Sequence, residues 1–225
     1  MALPPVITID GPSGTGKGTI AHLLSKELGW HMLDSGALYR IVGVAAQDQG
    51  VDPADPVELK RIALSMQVTF SSLFQGSIEL DGSEISGRVR LEESGALASR
   101  VAAVPELRAA LLQRQHDFRQ LPGLVADGRD MGTVVFPDAI CKFFLTASAE
   151  TRAQRRYNQL KDKEVSVSLP ALLRDIQARD ERDSTRAVSP LKPAKDAVII
   201  DTGPLSIDQV MFAVMARVKP VLADK

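Results

Sequence analysis

Short runs of consecutive apolar residues recur along this chain, separated by longer stretches in which apolar positions return every three or four residues. The first kind predicts buried strands and the second helices with one apolar face. Val6, Ile7, Thr8 and Ile9 form the first such run. Ile20, Ala21, Leu23, Leu24 and Leu28 then return at helical spacing, with Gly29 where a C-cap belongs. A short strand is expected at 30–33. A helix capped by Asp34 or Ser35 follows, running to about residue 45, and another spans 56–66, opened by Pro56.

The pattern changes between residues 66 and 89. Residues 67–70 and 77–80 read as short strands, and Asp81-Gly82 is a strong hairpin signal, so a small β-rich insert is predicted there. Helices at 92–102 and 105–120 come next, the second opened by Pro105. Strands at 124–126 and 139–145 lead to an arginine-rich helix at 151–157 and a polar connection at 161–164. A helix at 169–182, a strand at 197–201 and a helix at 206–218 close the chain. This alternation predicts an α/β fold, a parallel sheet with helices on both faces. There is no internal repeat and no low-complexity tract.

Composition narrows the class. With 44% hydrophobic and 24% charged residues the chain reads as a soluble globular protein. Its 225 residues suit one α/β domain with an insertion. A net charge of −1 implies no broad attraction to nucleic acid or an anionic membrane. The single cysteine, Cys141, fits a reducing compartment and lies in a run that reads as buried strand. No charged segment followed by a long apolar run opens the chain, and no stretch is apolar enough to span a bilayer. A cytoplasmic protein is expected.

Candidate chemistry begins directly after the first strand, with Gly11, Pro12, Ser13, Gly14, Thr15, Gly16, Lys17, Gly18 and Thr19. Strand, glycine-rich loop and helix together are the setting a phosphate-binding loop requires. Glycines let backbone N–H groups converge on phosphate oxygens, the helix N-terminus adds partial positive charge, and Lys17 reaches the outer phosphates. Gly18 stands where Ser or Thr is usual, which leaves Thr19 to serve a Mg²⁺ shell directly or through water. The Gly-Lys-Gly-Thr ending resembles nucleoside monophosphate kinases more than GTPases, and no Asn-Lys-x-Asp segment is present to read guanine.

Three further segments carry charge where ligands collect in such sheets. Asp34-Ser35-Gly36-Ala37-Leu38-Tyr39-Arg40 places Tyr39 and Arg40 one helical turn beyond Ser35 and Gly36, suited to a base and a phosphate or to an ordinary capped helix. Asp127-Gly128-Arg129-Asp130 follows an apolar strand, as a carboxylate orienting Mg²⁺ would; a polar turn of paired charges is the alternative. Arg179, Asp183 and Arg186 fall at i, i+4 and i+7, so they line one face of a helix. A phosphate–ribose site and a solvated salt-bridged face both explain that spacing. The Arg152, Arg155 and Arg156 cluster either clamps a transferring phosphoryl group or decorates a surface helix. His22, His31 and His116 have no metal-ligand spacing.

Taken together, segments 7–19, 34–40, 127–135 and 179–191 closely resemble the bacterial cytidylate kinases. The similarity covers essentially the whole chain. Asp127-Gly128-Arg129-Asp130-Met131-Gly132-Thr133 and Arg186-Ala187-Val188-Ser189-Pro190-Leu191 are its most specific motifs. The resemblance implies a P-loop core over 1–36 and 104–225 with a short lid at about 152–166, and a nucleoside-monophosphate-binding insert over 37–103. It implies transfer of the ATP γ-phosphoryl group to CMP or dCMP with Mg²⁺, by a monomer with no nucleic-acid or membrane partner. It maps the CMP site onto Ser35, Arg40, Ser99, Arg108, Arg129, Asp130, Arg179, Asp183 and Arg186, with Tyr39 beside them. Ser99, Arg129 and Asp130 then face cytosine, Arg40, Arg108 and Arg186 the phosphate, and Arg179 and Asp183 the ribose.

Such a reaction needs positioning and charge neutralisation, with no covalent intermediate. No catalytic His, Cys or Ser is therefore expected. Lys17, Arg129, Arg155 and Arg186 carry the charge stabilisation, Arg155 also contacting ATP as the lid closes. Two other readings compete: a kinase acting on UMP or AMP, and an ATP-binding switch with no nucleotide acceptor.

Overall fold

The apolar runs form a parallel sheet, and alternate residues of each run feed two separate cores. The computed structural model describes residues 3–70, 78–162 and 164–223, with backbone alone at Phe70. In chain order these form β1 (Val6–Asp10), α1 (Lys17–Leu28), β2 (His31–Asp34), α2 (Ser35–Asp48), α3 (Pro56–Ser65), β3 (Val68–Phe70), β4 (Ile78–Leu80), β5 (Ser83–Glu84), α4 (Ser86–Val89), α5 (Glu92–Val101), α6 (Pro105–Asp117), β6 (Leu124–Gly128), a π-helical turn (Met131–Val135), β7 (Cys141–Thr146), α7 (Ala149–Lys161), α8 (Leu169–Thr185), β8 (Val198–Asp201) and α9 (Ile207–Ala223). The main sheet has the order β2-β6-β1-β7-β8, and every pairing in it is parallel. Ser77, expected to open the second insert strand, and Lys163, in the polar connection, lie outside the described residues.

Because side chains alternate across a strand, Val6, Leu33, Leu124 and Ala126 join α2, α3 and α6 on one face. Ile7, Ile9, Met32, Val125, Phe143 and Leu145 join α1 and α9 on the other. Burial of both faces is why these strands read as unbroken apolar runs. The first core continues into the insert through Leu59, Ile78, Val89 and Val101. There β3, β4 and β5 form a small antiparallel sheet, turned at Asp81-Gly82 as the hairpin signal predicts.

Several boundaries differ from those predicted, each for a local reason. Strand β6 runs on through Asp127 and Gly128, which stay paired with Ile9 and Asp10 of β1. Helix α7 starts earlier, at Ala149, because Ser148 Oγ accepts from the Thr151 amide at 3.1 Å. The turn at Met131–Val135 and the short α4 were not predicted, being too brief to carry a period. β1, β2 and β6 all end in the same crevice, at Asp10, Asp34 and Asp127-Gly128. Among the described residues, no helix is long and apolar enough to cross a membrane.

Candidate active site

The glycine loop leaves β1 with Gly11, Gly14 and Gly16 at φ of 148°, 83° and 87°. A Cβ on Gly11 would run into the Leu145 carbonyl of β7, so only glycine lets the loop lie on the sheet there. Gly16 O accepts from the Ile20 amide at 3.1 Å, closing the first turn of α1. The helix thus begins at Lys17, earlier than its apolar spacing predicts, because Lys17, Gly18 and Thr19 carry no period. Its first amides border the loop, as an anion site requires.

Lys17 Nζ donates to Pro12 O at 3.3 Å and lies 3.9 Å from Asp127 Oδ1. Burial pushes the Lys17 ammonium below its ordinary range, with Arg129 adding to the effect. It pushes the Asp127 carboxyl up, opposed by Lys17 and assisted by Asp34. A Cβ on Gly18 would sit 3.1 Å from Asp127 Oδ2, so the departure from Ser or Thr lets α1 approach this carboxylate. Asp127 Oδ1 is buried without a hydrogen-bond partner, and Asp34 stands opposite it across the β2–β6 pair. With Thr19 half-buried on the first turn of α1, this oxygen-only set fits Mg²⁺, which keeps several waters and takes few protein ligands. No group of three or more His, Cys, Asp or Glu among the described residues could hold a metal unaided.

Beyond the loop, the predicted acceptor residues converge. Ser35, Tyr39, Ser99, Arg108, Arg129, Asp130, Arg179, Asp183 and Arg186 all line one cavity of about 50 Å³. Arg40 borders it from outside, donating to the Val89 and Leu91 carbonyls at 3.0 and 3.1 Å. Arg40 Nη2 and Arg179 Nη1 lie over Gly95, 3.0 and 3.1 Å from where a Cβ would stand. Arg179 Nη1 also reaches Ser13 Oγ of the phosphate loop at 3.4 Å. A larger open groove of about 660 Å³, walled mostly by proline, alanine and exposed arginine, shares Ser99 and Arg186 with the cavity. The buried charges gather in the smaller space.

Those charges fall into two sets. Lys17 feels Arg129, Asp127, Arg179 and Asp34, while Arg179 feels Arg129, Asp183, Arg40 and Glu92. Arg186 instead feels Arg108, Asp130, Asp183 and Tyr39. Arg108 pairs with Asp130 and lies over the Tyr39 ring, 5.7 Å from its centroid. Arg186 Nη2 is 3.9 Å from Asp130 Oδ1. Asp183 joins the sets, accepting from Arg129 Nε and Ser99 Oγ at 2.9 Å each. Burial lowers the proton affinity of Arg179 to about 10, and Arg186 shifts the same way. Arg179 Nε and Arg186 Nη2 are buried with no hydrogen-bond partner. Orphaned cationic donors on a cavity wall mark where an anionic or acceptor-rich ligand belongs.

The three arginines of α7 divide. Arg152 braces the loop from below, donating to Ser13 O at 3.1 Å and pairing with Asp180 of α8. Arg155 lies on the flank, donating to Thr202 O at 2.5 Å; Thr202 Oγ1 is 3.0 Å from Thr15 O. Arg156 pairs with Glu92 of α5. Sequence reasoning missed Gln115, which accepts from Ser35 Oγ at 2.8 Å, as well as Glu92 and Asp180. None has a local signal, since each partner is remote in sequence.

The family model for cytidylate kinase matches residues 7–220. A cytidylate kinase of Pseudomonas fluorescens (strain Pf0-1) is 57% identical over 219 residues, covering 96% of each chain. One of Pseudomonas putida (strain W619) is 56% identical over 98% of this chain and 96% of its own. Among solved structures, a gluconokinase from Sinorhizobium meliloti 1021 covers 100% of this chain and 97% of its own at 14% identity and TM-score 0.49, a likeness too distant to speak to function. A match spanning nearly the whole chain, over the glycine loop and every predicted acceptor residue alike, makes this chain a member of the cytidylate kinase family.

Proposed function

We propose that this protein transfers the γ-phosphoryl group of ATP to CMP or dCMP, giving CDP or dCDP and ADP. One observation carries the reading: orphaned arginine donors line a cavity that opens beside a phosphate-binding loop. An ATP switch without an acceptor has no use for that second cationic site.

The acceptor phosphate must lie beside Lys17 for transfer to be in line, so the set around Lys17 suits the phosphate end. Arg40, Arg129 and Arg179 belong to it. Arg108, Asp130 and Arg186 then take the far, base end, where a carboxylate between two arginines presents both acceptor and donors to a cytosine edge. The resemblance assigns Arg108 and Arg186 to the phosphate; their partners favour the base. Ser99 and Asp183 stand between, toward the ribose. A phosphate monoester is already anionic near neutral pH, so the residues need only position it and disperse charge. Thr19 and Asp127 would hold Mg²⁺ directly or through water, and the ion would supply neutralisation of part of the charge on the donor phosphates.

A cavity of about 50 Å³ is well below the roughly 300 Å³ of a ligand pocket, so the insert and lid must open and re-close around the nucleotides. Closure excludes water and limits ATP hydrolysis. A monomer in the cytoplasm is the setting we infer, supported by the single cysteine and near-zero net charge. A coupled ADP assay with CMP, dCMP, UMP and AMP in parallel tests the reading. Preference for CMP and dCMP is expected; ADP release independent of any acceptor would sink it.

A further inference from the structure

Asp130 occupies the N-cap position of the π-helical turn, yet its side chain makes no capping hydrogen bond. An aspartate there ordinarily accepts from the first amides of its own turn. The first two amides of the turn are taken instead by a residue 121 and 122 positions earlier in the chain. Met131 N donates to Asp10 Oδ1 and Gly132 N to Asp10 Oδ2, each at 2.8 Å. Asp10 is the last residue of β1, 4% exposed, immediately before the phosphate loop. We propose that Asp10 is a positioning residue of the acceptor site: it caps the turn in place of Asp130, leaving Asp130 to hold Arg108 and Arg186 in the cavity. The inference rests on Asp130 belonging to the acceptor site, as argued above.

The chemistry allows little else. Two buried amides must be satisfied, and a carboxylate takes both with short charge-assisted bonds. Without Asp10 these amides lose their acceptor, and the turn that begins at Asp130 loses the contact that holds it where Asp130 meets Arg108. Gly132 supports the same arrangement independently. A Cβ there would stand 2.8 Å from Thr8 Oγ1 and 3.2 Å from Lys142 Cδ, so glycine lets the turn lie close against β1, where Asp10 meets its amides. One side chain thereby fixes the acceptor motif to the strand that delivers the donor loop.

The test is a double-mutant cycle of Asp10→Asn and Asp130→Ala, reading CMP KM, kcat, affinity for a non-hydrolysable ATP analogue and Tm. Asparagine keeps the shape but offers one acceptor oxygen where two are needed. Asp10→Asn is expected to raise CMP KM by about tenfold or more while ATP-analogue affinity stays within about twofold. Added to Asp130→Ala it should do no further harm, since Asp130 is then already lost. A folded Asp10→Asn protein with unchanged CMP KM, equal weakening of both nucleotides, or losses that multiply in the double variant would each overturn the inference. Should Asp10→Asn not fold, Gly132→Ala asks the same question from the other side, with the same non-additivity expected and multiplied losses overturning it. If the wild type does not phosphorylate CMP, or Asp130→Ala alone leaves CMP KM unchanged, the acceptor-site reading itself fails and takes this inference with it.

Discussion

Replacing Arg186 by alanine separates an acceptor-site arginine from a solvated helix face by magnitude. In the free protein this side chain is 6% exposed, donates through Nε to Ser189 O, and keeps Nη2 without a hydrogen bond. Burial and the neighbouring Arg108 both work against its charge, and Asp130 offsets part of that. Truncation therefore changes stability little, by about 1 kcal/mol or less, a Tm shift of roughly 2–4 °C for a chain of this size. Bound substrate is another matter. The orphaned Nη2 then donates a charge-assisted hydrogen bond to the nucleotide, worth about 1.5–3 kcal/mol, or roughly 10–150-fold in kcat/KM for CMP. At the base end the loss falls on KM and on discrimination between CMP and UMP more than on kcat. The assay is coupled ADP release over a CMP series and a UMP series, beside calorimetry with an ATP analogue alone. ATP affinity should hold. A kcat/KM for CMP within about threefold of wild type, or an equal loss of ATP affinity, refutes the reasoning.

Lys17→Ala should cut turnover by roughly 10²–10³-fold with Tm nearly unchanged, because the ammonium serves the phosphates and adds nothing to the core; near-normal turnover would remove the phosphate-loop assignment. Gly95→Ala places a Cβ about 3 Å from the ends of Arg40 and Arg179, so CMP KM should rise several-fold while melting stays put, these being flexible tips rather than backbone. The Asp10 carboxyl is pushed by burial from 3.8 to about 6. The native state then binds the extra proton between those values, so stability falls as pH rises through that window, by up to about 3 kcal/mol. Thermal melts from pH 4 to 7 should show wild type losing ground to Asp10→Asn, and parallel curves would refute it.

How much the sequence revealed depended on the distance between partners. The phosphate loop is legible because its glycines, lysine and flanking elements are contiguous, and β1, β6 and β7 because burial on both faces leaves them apolar. The i, i+4, i+7 spacing of Arg179, Asp183 and Arg186 predicted a shared face, yet left open whether that face met solvent. Only the fold, by bringing Ser99 and Arg129 onto Asp183, turns it inward. Ser99 and Arg108 were identified through resemblance alone, since neither sits in a local pattern. The opposite ends we propose for Arg108 and Arg129 rest on their neighbours Asp130 and Lys17, and no spacing encodes that. Asp10 lies just past the apolar run that ends at Ile9 and carries no signal of its own in the sequence.

The pair between Arg156 and Glu92 ties α7, which we place at the donor side, to α5, in the insert that we propose binds the acceptor. With side chains 27% and 54% exposed, such a pair is worth at most about 1 kcal/mol. That modest figure sets a ceiling on conversation between the two nucleotides through this contact. If one nucleotide favours the joined arrangement, it strengthens binding of the other by no more than about fivefold, and the second must strengthen the first by the same factor. A link this weak costs little to open, and whatever coupling it carries falls as salt concentration rises.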